Sequence, residues 1–273
     1  MYNNIYSSQL YSDSRVLKTA VVPVGNKCNL YCVMCGPNFS TAWFKKHRAM
    51  GVGKKWEKKD VIKDTIADID LDSFQHLEFI GGETLLSNEL WDRLAKLKKS
   101  VKFSLQTNGT VKLNANQIAL LNSFDDFNIC FSIDGYKNIF EYIRQPAKWD
   151  QVIENISEYK KYFGLGRLST YCTINNLNIL YVDSMMIEIF KLLPSKIDLN
   201  VVYDPSEFGL NNLPPKVGKI IESKNPVFFR KNKIIWKGSP DSKKALLDNL
   251  EKQDRFSKLR WADYLPELHN LLK

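Results

Sequence analysis

The chain has 273 residues, is 44% apolar and 25% charged, and carries a net charge of +9. That composition fits a globular protein with a large core, and no stretch reaches the roughly 20 apolar residues of a membrane span. Five cysteines are too few for a disulfide scaffold, and the start MYNNIYSSQLYSDSR lacks the form of a secretory signal, so a reducing, cytoplasmic setting is expected.

In chain order, β-branched or aromatic runs at 17–25, 76–82, 101–109, 127–135, 166–174 and 196–204 read as strands. Helical patterns at 87–100, 115–124, 149–163 and 181–193 separate them, the first with a cap-like start at Ser87 and the last ending before Pro194. The alternation predicts an α/β fold, a partial (β/α)6 TIM-like barrel of parallel strands, over residues 16–205. Residues 1–15 read as an N-terminal extension and 206–273 as a short C-terminal one. In the latter, 211–218 reads as a loop, and irregular structure with one or two helices follows. Trp236 and Trp261 are expected in its core.

Cys28, Cys32 and Cys35 fall within GNKCNLYCVMCGP. Their Cys-x3-Cys-x2-Cys spacing differs from the paired cysteines of structural zinc. Three thiolates can hold three irons of a [4Fe–4S] cube and leave the fourth iron open to a small molecule; a fourth cysteine would close it. The triplet follows the first strand, and 81–84, 107–109 and 132–135 each stand where a strand ends. Ligands of parallel α/β folds bind at the carboxyl ends of strands, so four motifs converge on one rim. A structural zinc with a distant ligand such as His47 is the alternative for the triplet.

CNLYCVMC followed by the strand-end GGE resembles the radical S-adenosylmethionine (SAM) superfamily. The likeness covers roughly residues 15–205. It implies a [4Fe–4S] cluster whose open iron binds SAM, reductive cleavage to a 5′-deoxyadenosyl radical, and hydrogen abstraction from a substrate. By the same resemblance, Gly81, Gly82 and Glu83 hold the SAM amino group. Thr107 and Asn108 of QTNG and Ser132 of FSIDG meet its methionyl or ribose groups, with Asp134 nearby. Arg144 holds its carboxylate, and Asn176, or Asn175, approaches the ribose and adenine. Met34 stands where the family usually has an aromatic residue against adenine.

Within the superfamily the motifs most resemble the SPASM/twitch subgroup, whose members modify peptides or oxidise small molecules and carry auxiliary clusters. Only Cys130 and Cys172 remain here, so residues 206–273 cannot form an all-cysteine auxiliary cluster and instead read as an extension or a cluster-free twitch-like subdomain. Cys130 shares strand parity with Ser132 and Asp134 and should point into the barrel. It is a candidate hydrogen-atom donor, though a small core residue is the commoner role. The expected substrate is a peptide or protein side chain, with flavodoxin or ferredoxin as reductant. A nucleotide or sugar phosphate is the second reading, and a non-catalytic cluster-bearing module the third. The phosphate reading draws on two basic segments: 45–63 has eight Lys or Arg against two acids, and 216–260 has thirteen against five. Read blandly, both are solvated faces. No nucleic-acid motif accompanies them.

Overall fold

Side chains on the strands divide by parity, as a sheet with one wet face requires. The chain is described here by a computed structural model covering residues 17–51, 56–57, 60–62 and 70–273. On β2 (Phe74–Ile80), β3 (Lys102–Thr107) and β4 (Phe127–Ser132), Leu77, Phe79, Phe103, Leu105, Phe127, Ile129 and Phe131 are buried on one face. Their neighbours Glu78, Ser104, Gln106, Asn128 and Cys130 line an open trough on the other. With β1 (Leu17–Pro23), β5 (Leu168–Ile174) and β6 (Ile197–Val201), these form one six-stranded sheet in sequential order, every neighbouring pair parallel. Strand twist accumulated over six such neighbours curls the sheet into a half-barrel. All six expected strands are present. Parallel sheets are ordinarily covered on both faces; here the helices cover the convex apolar face, and the concave polar face borders a cavity of about 860 Å³.

The crossovers use α1 (Trp43–Ala49), α2 (Asn88–Lys96), α3 (Ala115–Asn122), α4 (Lys137–Ile143), α5 (Trp149–Phe163) and α6 (Val182–Leu192). Ser87 caps α2 by accepting from Leu90 N at 3.1 Å, and α3 opens with a capping box between Asn114 and Gln117. The sequence pattern does not announce α1 and α4. In α4, Ile139, Phe140, Tyr142 and Ile143 are buried, but seven residues make fewer than two turns, too short a run to display the helical period.

The convex core is aromatic. Phe103 meets Phe124 edge-on at 4.8 Å and lies 5.9 Å from Phe127 and 6.1 Å from Phe79. Phe103→Ala is therefore expected to cost about 3–5 kcal/mol, lowering the urea midpoint at an unchanged m-value.

Residues 206–273 differ from expectation. They are largely helical: α7 (Pro215–Lys224), α8 (Pro226–Lys231), α9 (Pro240–Ser257), α10 (Trp261–Tyr264) and α11 (Pro266–Leu272). Four of these begin on proline, where a missing N–H costs nothing because the first turn has no intrahelical acceptor for it. Pro215, inside the stretch 211–218 expected to be a loop, starts α7. Trp261 is buried, and Trp236 is half-buried over Gly218. The N-terminal extension, 1–15, lies outside the described residues, as do 52–55, 58–59 and 63 of the first basic segment. Within that segment Lys46 is fully buried, which corrects the solvated reading there. Lys216, Lys219, Arg230 and Lys231 of the second segment lie at the surface or close to it.

Candidate functional site at the strand ends

The chain leaves β1 with one more ladder bond, Val24 N to Ile80 O at 2.8 Å, and then loops across the rim. Cys28, Cys32, Met34 and Cys35 of that loop line a pocket of about 200 Å³ with Gly81, Gly82, Gln106, Thr107, Asn108, Ser132 and Arg144. The rim convergence expected from sequence is thus a physical pocket. The loop's carbonyls are tied back by donors from residues 40–46. Ser40 Oγ bonds Leu30 O; Thr41 Oγ1 bonds Cys28 O; Trp43 Nε1 bonds Cys32 O at 3.0 Å; Lys46 Nζ bonds Tyr31 O at 3.4 Å. Sequence reasoning passes over Trp43 and Lys46 because their partners are backbone atoms and, for Lys46, Gln145 Oε1 from far along the chain, none of which leaves a pattern in a sequence. The Lys46 ammonium also lies 4.5 Å from the Trp43 ring, and burial pulls its pKa down to about 7.

Arg144 is placed by backbone pairing. Tyr31 N donates to Gln145 O at 2.7 Å and Val33 N to Ile143 O at 2.8 Å, so Cys32 and Arg144 stand opposite each other between two hydrogen bonds. The guanidinium is 2.7 Å from Asp134 Oδ2, and its Nε is buried with no hydrogen-bond partner among the described residues. Asp134 Oδ1 accepts from Thr173 N at 2.7 Å. The Asp134 carboxylate is occupied by this pair and lies behind the pocket wall. Burial raises its pKa, with Arg144 opposing.

Glu83 is also placed behind the wall. Its oxygens accept from Thr107 Oγ1 (2.7 Å), Asn108 N (2.7 Å) and Leu85 N (3.2 Å), locking the end of β2 to the end of β3. The GGE segment faces the pocket through Gly81 and Gly82 instead. Their lack of Cβ serves the fold: a Cβ on Gly81 (φ +153°) would lie 2.7 Å from Gly25 O, and one on Gly82 would strike Lys27 O. Burial pushes the Glu83 pKa up to about 7 despite the three donors. A carboxyl raised above its unfolded value favours folding while protonated, so this contribution is full below about pH 4.5 and is lost as pH rises through 7. Glu83 is therefore expected to withdraw about 2 kcal/mol from the apo chain between pH 5 and 7 in urea melts, and Glu83→Gln removes that part of the slope.

Asn176 stands away from the pocket, its Nδ2 donating to Glu207 O at 2.6 Å. Asn175 points inward instead, and its Nδ2 lies 3.3 Å from Met34 Sδ. Ser132 Oγ accepts from Gln106 Nε2 at 3.2 Å, and Asn108 Nδ2 donates to Asn29 Oδ1 at 2.9 Å. Gln106 is the overlooked member of the QTNG motif. It borders both the rim pocket and the trough, and its two-residue spacing from Ser104 and Asn108 is the signal that could have found it. Cys130, Gln106's neighbour across the β3–β4 ladder, lines the trough, while Cys172 is core.

The donor set fits a multi-iron cluster. Three thiols ring one pocket, yet no group of three His, Cys, Asp or Glu among the described residues is spaced to hold a single metal ion. A cube of irons takes one thiolate on each of three irons and leaves the fourth open, which three thiols around one pocket allow, and His47 is not among the residues lining that pocket. His47 packs against Trp56 at 6.2 Å. Burial raises all three thiol pKa values, that of Cys35 to about 11, with Arg144 opposing most strongly at Cys32. Ligation must therefore release protons.

The Radical SAM superfamily profile matches residues 22–193. The chain belongs to that superfamily. Its members are enzymes that use a [4Fe–4S] cluster and SAM. Among solved structures, a polyhistidine-tagged anSMEcpe with bound AdoMet is similar at 18% identity and a TM-score of 0.52, with 81% of this chain and 61% of that one aligned. Native anSMEcpe with AdoMet and a Cp18Cys peptide gives 18%, 0.51, 80% and 62%. Streptococcus suis SuiB bound to S-adenosylmethionine gives 12%, 0.47, 81% and 47%. The chain thus spans about three fifths of the length of the anSMEcpe structures, and the likeness is one of fold. No curated protein matches the sequence. Among the described residues no helix is long and apolar enough to cross a membrane.

Proposed function

We propose that the protein is a radical SAM enzyme acting on a peptide or protein side chain held in the polar trough. The observation that carries this is the junction at Gln106, where the pocket of Cys28, Cys32, Cys35 and Arg144 opens beside the trough of Glu78, Asn128, Cys130 and Tyr171. When bound, cluster and cofactor supply reductive cleavage of SAM to a 5′-deoxyadenosyl radical.

The chain's own residues do the rest. Cys28, Cys32 and Cys35 ligate the cluster. Arg144, held by Asp134, offers a buried cation to the SAM carboxylate. The Gly81 and Gly82 backbone and the Thr107, Asn108 and Ser132 side chains orient the methionyl and ribose groups. Met34, steadied by Asn175, covers the adenine. Glu83 fixes the strand ends that carry these groups. An external one-electron donor of the flavodoxin or ferredoxin kind serves as reductant.

Trough electrostatics favour a peptide over a phosphorylated substrate. Its walls present the Glu78 and Asp198 carboxylates, and Lys196 is already 2.9 Å from Asp198. Phosphate would meet repulsion there. The test is anaerobic. The reconstituted chain with SAM and dithionite should yield 5′-deoxyadenosine. A peptide library should then show mass changes on side chains, with turnover only weakly salt-dependent. A fully loaded, reduced cluster that leaves SAM intact, alone and with the library, would sink the enzyme reading. Turnover of phosphorylated compounds with a steep salt dependence would replace the substrate.

A further inference from the structure

Helix α9 runs behind the cluster loop and touches it with polar atoms. Gln253, buried on that helix, donates from Nε2 to Val33 O at 2.9 Å. Val33 lies between the second and third cysteines. Among the described residues, the other side-chain donors to the carbonyls of residues 28–35 come from residues 40–46, near neighbours in the sequence. This one comes from 220 residues away. The same Nε2 bonds Asn249 Oδ1 at 2.6 Å, and Oε1 is buried with no partner among the described residues. An amide that leaves one buried acceptor unmatched is placed there for what its N–H groups hold.

The next turn of α9 grips the segment opposite. Asp254 accepts from Tyr142 Oη at 2.8 Å and from Trp261 N at 2.7 Å. The Ser257 hydroxyl bonds Gln145 Oε1, and Phe256 meets Tyr31 edge-on at 5.5 Å. Tyr142 and Gln145 bracket Arg144, as Tyr31 and Val33 bracket Cys32. One helix therefore holds both strands of the short pairing that sets Cys32 against Arg144. Leu246 and Leu250 of α9 fill the core and Phe256 packs against Tyr31 of the loop; the Gln253 bond to Val33 O adds a directional contact that space-filling alone does not require.

We infer that Gln253 is a positioning residue for the cofactor site, and that α9 sets the register of Cys32 against Arg144. The inference rests on the radical SAM reading, because cluster and SAM are the groups being positioned. Residues 240–257 thereby brace the cluster loop from outside the barrel. Anything that displaces α9, such as a bound partner, would be felt first at the cofactor.

The test uses the full-length reconstituted chain. Gln253→Leu keeps the side-chain volume and removes the donor; Ser257→Ala removes the weaker tie; Lys252→Ala, on the exposed side of α9, is the control. The readouts are the electron paramagnetic resonance spectrum of the reduced cluster with and without SAM, the SAM dissociation constant, and the melting temperature of the apo chain. For Gln253→Leu the expected result is a changed SAM-bound spectrum and about fivefold weaker SAM binding, the worth of one hydrogen bond. Ser257→Ala should shift both in the same direction by less, and Lys252→Ala should match wild type. Spectra and SAM affinity equal to wild type in both Gln253→Leu and Ser257→Ala, whatever the melting temperatures, would overturn the inference alone. A wild-type chain that takes up no cluster would overturn the radical SAM reading, and this inference with it.

Discussion

Cys32→Ala is expected to stop SAM cleavage, cutting 5′-deoxyadenosine by roughly a thousandfold or more, about 4 kcal/mol in barrier terms. Cys32 faces Arg144 across a two-bond backbone pairing, and its own carbonyl accepts from Trp43 Nε1. On the proposed ligand set its replacement leaves two ligands on a cube that needs three, so iron content and the cluster's visible absorption should fall with the activity. Cys130→Ala is the matched control: it removes a trough thiol and should leave cluster content and SAM cleavage intact. A Cys32→Ala chain that keeps full iron and cleaves SAM would remove Cys32 from the ligand set. Loading should also be slower at acidic pH, because burial holds the thiols protonated and ligation releases those protons.

The second large effect lies in the Arg144–Asp134 pair. Asp134 is fully buried and Arg144 is 12% exposed toward the pocket, and the 2.7 Å contact leaves each as the other's counter-ion. Asp134→Ala strands a buried guanidinium and should destabilise the apo chain by about 3–5 kcal/mol. Arg144→Met strands the carboxylate instead, which can take up a proton, so the loss of stability should be smaller. SAM affinity sorts the two roles. If Arg144 meets the SAM carboxylate, Arg144→Met weakens binding by roughly ten- to a hundredfold, the range of a hydrogen bond to a charged group. Asp134→Ala should weaken it less, since the cation remains. Calorimetric titration of the reconstituted variants reads this difference. Equal affinities in wild type and Arg144→Met would assign the arginine to the fold alone.

Much of the site was legible because its signals are local. Three cysteines within eight positions, glycines at a strand end, and QTNG and FSIDG each report their own strand terminus, and the sheet topology needs no more than strand order to bring such termini together. Glu83 and Asp134 show where that reading stops. A carboxylate beside a pocket can face the ligand or the scaffold. The choice is made by Thr107 Oγ1, Asn108 N and Leu85 N in one case and by Arg144 and Thr173 N in the other. Asn175 and Asn176 are adjacent and chemically identical, and only the path of the chain beyond β5 separates the one against Met34 from the one bonded to Glu207.

By itself the sequence determined the six parallel strands, the ring of motifs at their carboxyl ends and the identity of the candidate cluster thiols, because hydrophobic period and ligand spacing act over a few residues. The tertiary structure decided the rest. It buried Lys46 beside the loop, set Arg144 opposite Cys32, turned the proline-started C-terminal helices back onto the barrel and brought Gln253 to Val33. Those contacts join residues up to 220 positions apart. They are fixed by which buried polar groups must find partners, and that is settled only once the chain has closed on itself.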